Sequence, residues 1–362
     1  MENRKYWLGF SLIADIGPKR ILQLREAAGD LRAAWHATQT DLQRAGIPEQ
    51  LAAHIVASRP SIDLNREMQR IARVDAHLLT MDDVDYPPLL AELDEKPATL
   101  YVRGKLLPQD KRAVCVVGTR RATVYGKDAA YALSKELAAN GVTIISGLAQ
   151  GVDSAAHRGA LDGGGRTIGV MANGISEVYP AENLELAREI ITQGAVITEM
   201  PIGTPPIGQN FPRRNRILSG MSLGVLVVEG GIRSGALITA NFAAEQGRDV
   251  FAVPSNIFNK EGRGTNRLIQ DGAQLVMDVQ DVLDAIDMTY TVRETRVQTE
   301  QVAPADDTET TLLNLLSNDP IHVDDLVRLS GLPVATVSST LTLMELKGLA
   351  RTVGYMQYAL PR

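Results

Sequence analysis

The sequence predicts an α/β protein whose centre is a Rossmann-like, doubly wound parallel sheet, flanked by a helical N-terminal domain and a C-terminal winged helix. Three observations carry that prediction. In the domain at residues 79–288, from Leu100 to about Asp287, short β-branched runs alternate with helical runs, and the strands are continuously apolar, as strands covered on both faces must be. Residues 1–78 show apolar residues at helical spacing and no strand-like alternation. Residues 308–362 show three helical runs followed by a hairpin pattern, the layout of a winged helix.

Taken in order, Trp7, Leu8, Phe10, Leu12 and Ile13 open an apolar helical face. The run Asp15-Ile16-Gly17-Pro18-Lys19-Arg20 then turns into a second helix through Ile21, Leu22 and Leu24. A Gly-Pro turn between two such runs resembles a helix-hairpin-helix unit, whose amides can meet a phosphate, but a plain helix–helix turn is the favoured reading. A turn-rich connector follows (Asp85-Tyr86-Pro87-Pro88, Lys96-Pro97-Ala98). Strands are predicted at Ala113–Val117, Val142–Ile145, Thr167–Ala172, Ala195–Thr198, Gly224–Val228, Asp249–Val253 and Gln274–Val276, with helices such as Lys127–Asn140 and Ser154–Leu161 between them. Residues 289–307 are polar, lack apolar periodicity and read as a linker. In the last domain, Leu312, Leu313, Leu315 and Leu316 mark one helix and Val323, Leu326, Val327 and Leu329 a second. Gly331-Leu332-Pro333 turns the chain, Ala335–Leu346 forms the third helix, and Gly354 sits at the turn of the terminal hairpin.

The formal net charge of -6 means that any site for a polyanion has to be a local basic patch on an acidic body. The single cysteine, Cys115, lies inside the apolar run Ala113–Val117 and reads as a small hydrophobe. It can form no disulfide within the chain, and no apolar stretch is long enough to span a bilayer; both fit a cytoplasmic protein.

Ligands of an open parallel sheet bind outside the carboxyl ends of its strands. Those ends carry Gly118-Thr119-Arg120-Arg121 with Lys127 beyond, Ser146-Gly147, Phe211-Pro212-Arg213-Arg214-Asn215-Arg216, and Gly230-Gly231-Ile232-Arg233. Glycine lets backbone approach a ligand, and arginine offers a planar fork to phosphate oxygens. A single dinucleotide needs fewer arginines; a row of them suits a polynucleotide backbone. Phosphate is placed at Arg120 and Ser146-Gly147, because Asp153 is expected to cap the helix from Ser154 and to compete for the amides there. No Gly-x-Gly-x-x-Gly or Gly-x-x-x-x-Gly-Lys-Ser/Thr loop is present, which argues against a dinucleotide cofactor and an ATPase. His36, His54, His77, His157 and His322 show no metal-ligand spacing. Asp153, Ser154 and His157 share one helical turn, where a nucleophile–base–acid relay cannot align, so no catalytic residue is assigned. Phe211, Tyr179 and Phe251 are the aromatics near the expected groove, and packing is their default role.

From Tyr86 to about Leu283 the chain resembles the DNA processing protein A (Smf) family. The resemblance rests on Val116–Arg120, Ser146–His157, Tyr179-Pro180, Phe211–Arg216, Val228-Glu229 with Arg233-Ser234-Gly235, and Gly247–Pro254. It implies a helical N-terminal domain similar to a sterile-alpha-motif fold and a C-terminal winged helix. It also implies binding of single-stranded DNA without an enzymatic centre, a homodimer formed through the Rossmann domain, and loading of RecA during natural transformation. By motif match, Arg120 would contact DNA, Arg213, Arg214 and Arg216 would line the same groove, and Leu268, Ile269 and Leu275 would form the apolar dimer contact. Two departures from the family pattern stand out: Ser255 where glycine is usual, and Ala181 with Glu182 where a basic residue is common.

Two other readings compete. Gly230–Gly235 resembles the loop of cytokinin-activating phosphoribohydrolases, yet Ala236, Leu237, Ile238 and Thr239 leave out the carboxylate such an enzyme needs. A transcription regulator built on the winged helix is disfavoured because Ala335–Leu346 holds Glu345 and no lysine or arginine; a protein contact suits it better.

Overall fold

A computed structural model describes residues 3–301, 307–317, 319–346, 349–354 and 356–360. Six helices open the chain: α1 (Arg4–Leu12), α2 (Pro18–Ala28), α3 (Leu31–His36), α4 (Gln39–Arg44), α5 (Glu49–Ser58) and α6 (Leu64–Arg73). Their core gathers Trp7, Phe10, Ile21, Leu24, Trp35 and Ile55, with Phe10 set edge-on to Trp35 at 5.1 Å. The Gly17-Pro18 turn starts α2 with proline in its first turn, where a missing N–H costs nothing.

The central sheet has nine strands: β1 (His77–Thr80), β2 (Thr99–Gly104), β3 (Ala113–Val117), β4 (Thr143–Ser146), β5 (Thr167–Val170), β6 (Ala195–Thr198), β7 (Gly224–Val227), β8 (Asp249–Ala252) and β9 (Gln274–Leu275). Their order is β1-β2-β6-β5-β4-β3-β7-β8-β9. Strands β3 to β9 run parallel, as predicted, whereas β1 and β2 extend the sheet antiparallel beyond β6. Neither added strand is among those predicted from the sequence, where Asp85–Pro88 and Lys96–Ala98 between them read as a turn-rich connector. The helices α7 (Pro88–Ala91), α8 (Val124–Ala139), α9 (Val152–Asp162), α10 (Leu184–Gln193), α11 (Asn210–Gly220), α12 (Gly235–Glu245) and α13 (Arg263–Gln270) join the strands. Cys115 is fully buried in β3, where the surrounding apolar interior pushes its thiol pKa up.

The N-terminal helices do not stand apart from the sheet. Leu8 and Ile71 pack in one cluster with Leu78, Tyr101, Ile190 and Val196. The boundary drawn at residue 78 falls inside β1, and residues 1–286 form one compact unit. Helix α14 (Val279–Gln301) covers most of the stretch expected as a linker; residues 302–306 lie outside the described residues.

The second unit contains α15 (Asp307–Leu315), β10 (Ile321–His322), α16 (Val323–Ser330), α17 (Val334–Leu346), β11 (Arg351–Gly354) and β12 (Gln357–Ala359). Val337, Leu341 and Met344 of α17 bury one helical stripe against Leu312 and Leu326. This is a winged helix with a three-stranded sheet in the order β10-β12-β11. Glu345 accepts a hydrogen bond from the Thr352 amide.

Candidate functional site

Chain order reverses between β3 and β7, and a cleft of about 690 Å³ opens there at the strands' carboxyl ends. Gly118, Thr119, Arg120 and Arg121 after β3, Ser234 and Gly235 after β7, and Phe211 and Arg214 of α11 are among its walls. Its charged lining is three arginines (Arg120, Arg121, Arg214) against one carboxylate, Asp153. The acidic chain therefore does concentrate positive charge at this point.

The rim is built from the turn after β3. Thr119 is held by hydrogen bonds from its amide to the Glu229 carbonyl and from the Val152 amide to its own carbonyl. Glu229 is buried and accepts from the Thr123 amide, the Thr123 hydroxyl and Asn259 Nδ2, so it braces both sides of the turn. On that scaffold Arg120 and Arg121 are exposed. The Arg120 guanidinium lies 4.7 Å over the Phe211 ring, and Tyr179 meets Phe211 edge-on at 6.1 Å. Two of the three aromatics considered from sequence thus stand at the cleft; Phe251 is fully buried in β8.

Several expected phosphate contacts are turned inward. The Ser146 hydroxyl is buried and donates to the Val116 carbonyl. The Gly147 amide donates to Asp153 at 3.1 Å, so it is occupied by an internal carboxylate. A side chain at Gly147 would collide with both Arg214 Nη2 (2.6 Å) and Asp153 Oδ2 (2.7 Å), so glycine is needed there to admit those two groups. Asp153 does not cap its helix, which begins at Val152 behind Gly151; it reaches back to the Gly147 and Ala149 amides. Burial raises the Asp153 pKa against the opposing pull of Arg214.

Arg214 is 4% exposed and sits on the cleft floor, donating Nη1 to the Gly147 and Val170 carbonyls and Nε to Asn215 Oδ1. Burial lowers its pKa to about 10, which leaves it charged at neutral pH. Arg216 is 9% exposed and paired with Glu199 at the end of β6. It cannot reach a groove. Of the three arginines on α11, only Arg213 is open to solvent, and it too approaches Glu199, at 3.4 Å. Lys127 and Arg233 are exposed, but neither lines the cleft.

The Asp153, Ser154 and His157 side chains point to different partners. Ser154 donates to the Ala149 carbonyl, and His157 Nδ1 lies 2.7 Å from the Thr167 hydroxyl. That hydroxyl gives its own proton to the Ile144 carbonyl, so His157 donates from Nδ1, and its Nε2 has no partner among the described residues. Burial first, then Arg214, lowers the His157 pKa to about 3 and keeps the ring neutral.

Adjoining the cleft, a second pocket shares Arg120, Tyr179 and Phe211 but adds Glu177, Ala181 and Glu182. The departure at Ala181-Glu182 thus makes that side less attractive to an anion. The departure at Ser255 is absorbed locally: its amide donates to Asn266 Oδ1 and its hydroxyl accepts from Asn259.

Of the expected dimer residues, Leu268 packs against the chain's own core, Ile269 is half-buried, and Leu275 is 38% exposed on β9, the last strand of the sheet. Met277 beside it is 80% exposed.

Comparison with known proteins bears on this architecture. Residues 77–287 match the family described as DNA recombination-mediator protein A, and residues 297–354 match the DprA winged helix domain. The Smf protein of Escherichia coli is 35% identical over 93% of this chain and 94% of its own. The DNA processing protein DprA of Bacillus subtilis is 43% identical over 56% of this chain and 68% of its own. The crystal structure of DprA from Streptococcus pneumoniae superposes with a TM-score of 0.67 at 34% identity, covering 77% of this chain and 95% of that one. DprA from Helicobacter pylori, whose structure concerns its single-stranded DNA binding mode, gives 0.52 at 30% identity, covering 59% of this chain and 96% of that one. With the stretch that carries its sheet and the winged helix both matched, the chain belongs to the DNA recombination-mediator protein A family, the DNA-processing proteins named DprA or Smf.

Proposed function

We propose that this chain is a cytoplasmic, non-catalytic mediator that binds single-stranded DNA at the cleft, protects it and hands it to RecA during natural transformation. The observation that carries the reading is the exposed Arg120 stacked on Phe211 at the mouth of the cleft. An arginine takes the phosphate while the ring beside it offers a stacking platform, a pairing that suits unpaired bases and is tolerant of sequence. Arg121 shares the cleft wall, and Arg213, Lys127 and Arg233 extend the positive surface beyond it. The relation to the Helicobacter pylori protein supports the same ligand.

A titration with single- and double-stranded oligonucleotides of one sequence at two salt concentrations tests this reading. Tighter binding of the single strand, weakening as salt rises, is expected; equal affinity for both forms sinks it. A homodimer is proposed through the β9 edge, because an open strand edge flanked by Leu275, Met277 and half-buried Ile269 invites pairing. Ile269→Arg should then give a monomer mass in light scattering, since a charge would be buried in an apolar contact; a dimer mass removes this interface.

A further inference from the structure

Three loops at the carboxyl ends of the strands are knitted together around the buried Glu229, and they expose an apolar and basic surface outside the cleft. Glu229 Oε1 accepts from the Thr123 hydroxyl at 2.9 Å and from Asn259 Nδ2 at 3.0 Å, so the loop after β3 and the loop after β8 meet at one atom. Tyr125 Oη donates to the Pro254 carbonyl at 3.3 Å, a second bond between the same two stretches. The loop after β7 joins them: the Gly264 amide donates to the Gly230 carbonyl, and a Cβ built at Gly231 would stand 3.5 Å from the Lys260 carbonyl oxygen. The chain neighbours of these anchors are open to water. Val124 and Tyr125 follow Thr123, Ile232 follows Gly231, and Ile257 and Phe258 precede Asn259; each is more than half exposed, Phe258 to 85%. None of the five lines the cleft.

Exposed apolar side chains are ordinary when scattered singly; five on three adjoining loops form a patch, which marks a surface that a partner covers. The charges say which partner. Residues 118–128, 229–235 and 254–263 carry six cations (Arg120, Arg121, Lys127, Arg233, Lys260 and Arg263) against Asp128, Glu261 and the buried Glu229. On a chain of net charge -6 that local balance is reversed, and it suits a polyanion. A second copy of the chain, meeting this same patch across a two-fold axis, would set cation against cation. An unpaired strand satisfies both halves of the surface: its phosphates meet the cations, and its base faces meet Tyr125, Phe258 and the aliphatic side chains around them. Arg121 lines the cleft and shares the loop of Thr123, so the two surfaces are continuous.

We infer that a single strand held at the cleft continues past Arg121 across the loops after β3, β7 and β8, with Phe258 as a second stacking platform. The inference rests on the single-strand reading of the cleft and extends it from a pocket to a track.

Fluorescence anisotropy with oligothymidylates of about 5 and about 20 nucleotides makes the test, the shorter confined to the cleft and the longer able to follow the track. Phe258→Ala should weaken the longer strand about tenfold, the worth of one lost base stack, and leave the shorter within about twofold. Phe258→Tyr, which keeps an aromatic face, should restore most of that loss. Lys260→Gln should weaken the longer strand alone and make its log–log salt slope shallower by about 0.7. Because Phe258 is exposed, its replacement leaves the fold intact, and light scattering of Phe258→Ala should return the wild-type mass. Unchanged affinity of Phe258→Ala for the longer strand, with binding of the shorter intact, overturns the track and leaves the cleft reading standing. Equal weakening of both lengths overturns it as well, since Phe258 would then act on the cleft, and a changed mass reassigns the patch to a contact between copies. Binding of neither length by the wild type ends both readings. Binding of the longer strand alone, abolished in Phe258→Ala, upholds the track and removes the cleft.

Discussion

Arg120 and Arg121 lie on a loop after β3 and stand in solvent; Arg214 and Arg216 lie on α11 and are buried. The residue type is the same and the local sequence is basic in both places, so charge alone does not tell a ligand-binding arginine from a structural one. What differs is the element that carries it. A loop at a strand end points its side chains outward over the cleft. A helix packed against a sheet must turn one stripe inward, and Arg214 heads the stripe that continues through Ile217, Leu218 and Met221, all buried. Arg216 is accepted into the interior only because Glu199 faces it.

The comparison can be broken most decisively at Glu199. Glu199→Ala would leave Arg216 buried without its counter-charge and should cost about 3–5 kcal/mol of stability in urea denaturation. A loss below about 1 kcal/mol would mean that Arg216 escapes to water and is not a structural arginine. A second, smaller effect lies beside Arg214. Because the folded-state pKa of His157 (about 3) lies below its unfolded value of 6.5, the folded chain refuses a proton that the unfolded chain accepts. That contribution is fully present above pH 6.5 and is lost as the pH falls toward 3. Between pH 7 and 5 the wild type should therefore lose about 2 kcal/mol more than His157→Gln; parallel losses would show that the ring is reached by protons in the folded state. The smallest stability effect is expected on the rim. Arg120→Ala should change stability by about 0.5 kcal/mol or less, while weakening single-strand binding and making the log–log salt slope shallower by about 0.7. An unchanged slope would take Arg120 out of the site.

Much of the sheet was readable from continuous apolar runs, because a strand buried on both faces has to be apolar throughout. Strands β1 and β2 were not, since they flank a stretch of turn residues such as Asp85, Pro87 and Pro97, and it is pairing with each other and with β6 that makes them strands. The rim residues Arg120 and Phe211 were found from the motif they sit in. The inward turn of Arg214 was available in the helical spacing of the apolar residues after it, a signal outweighed by the basic run Arg213-Arg214-Asn215-Arg216. The fate of Gly147 left no local trace: its amide meets Asp153 six residues on, and its missing side chain makes room for an arginine from another helix.

By itself the sequence determined the alternation of strand and helix, the winged helix at the end, and the glycine- and arginine-rich strand ends where a ligand would lie, because those follow from local periodicity and turn chemistry. Only the tertiary structure decided which arginines face water, which amides are already taken, and how the N-terminal helices share a core with the sheet. Burial and pairing depend on contacts between residues far apart in the chain, and no local pattern records them.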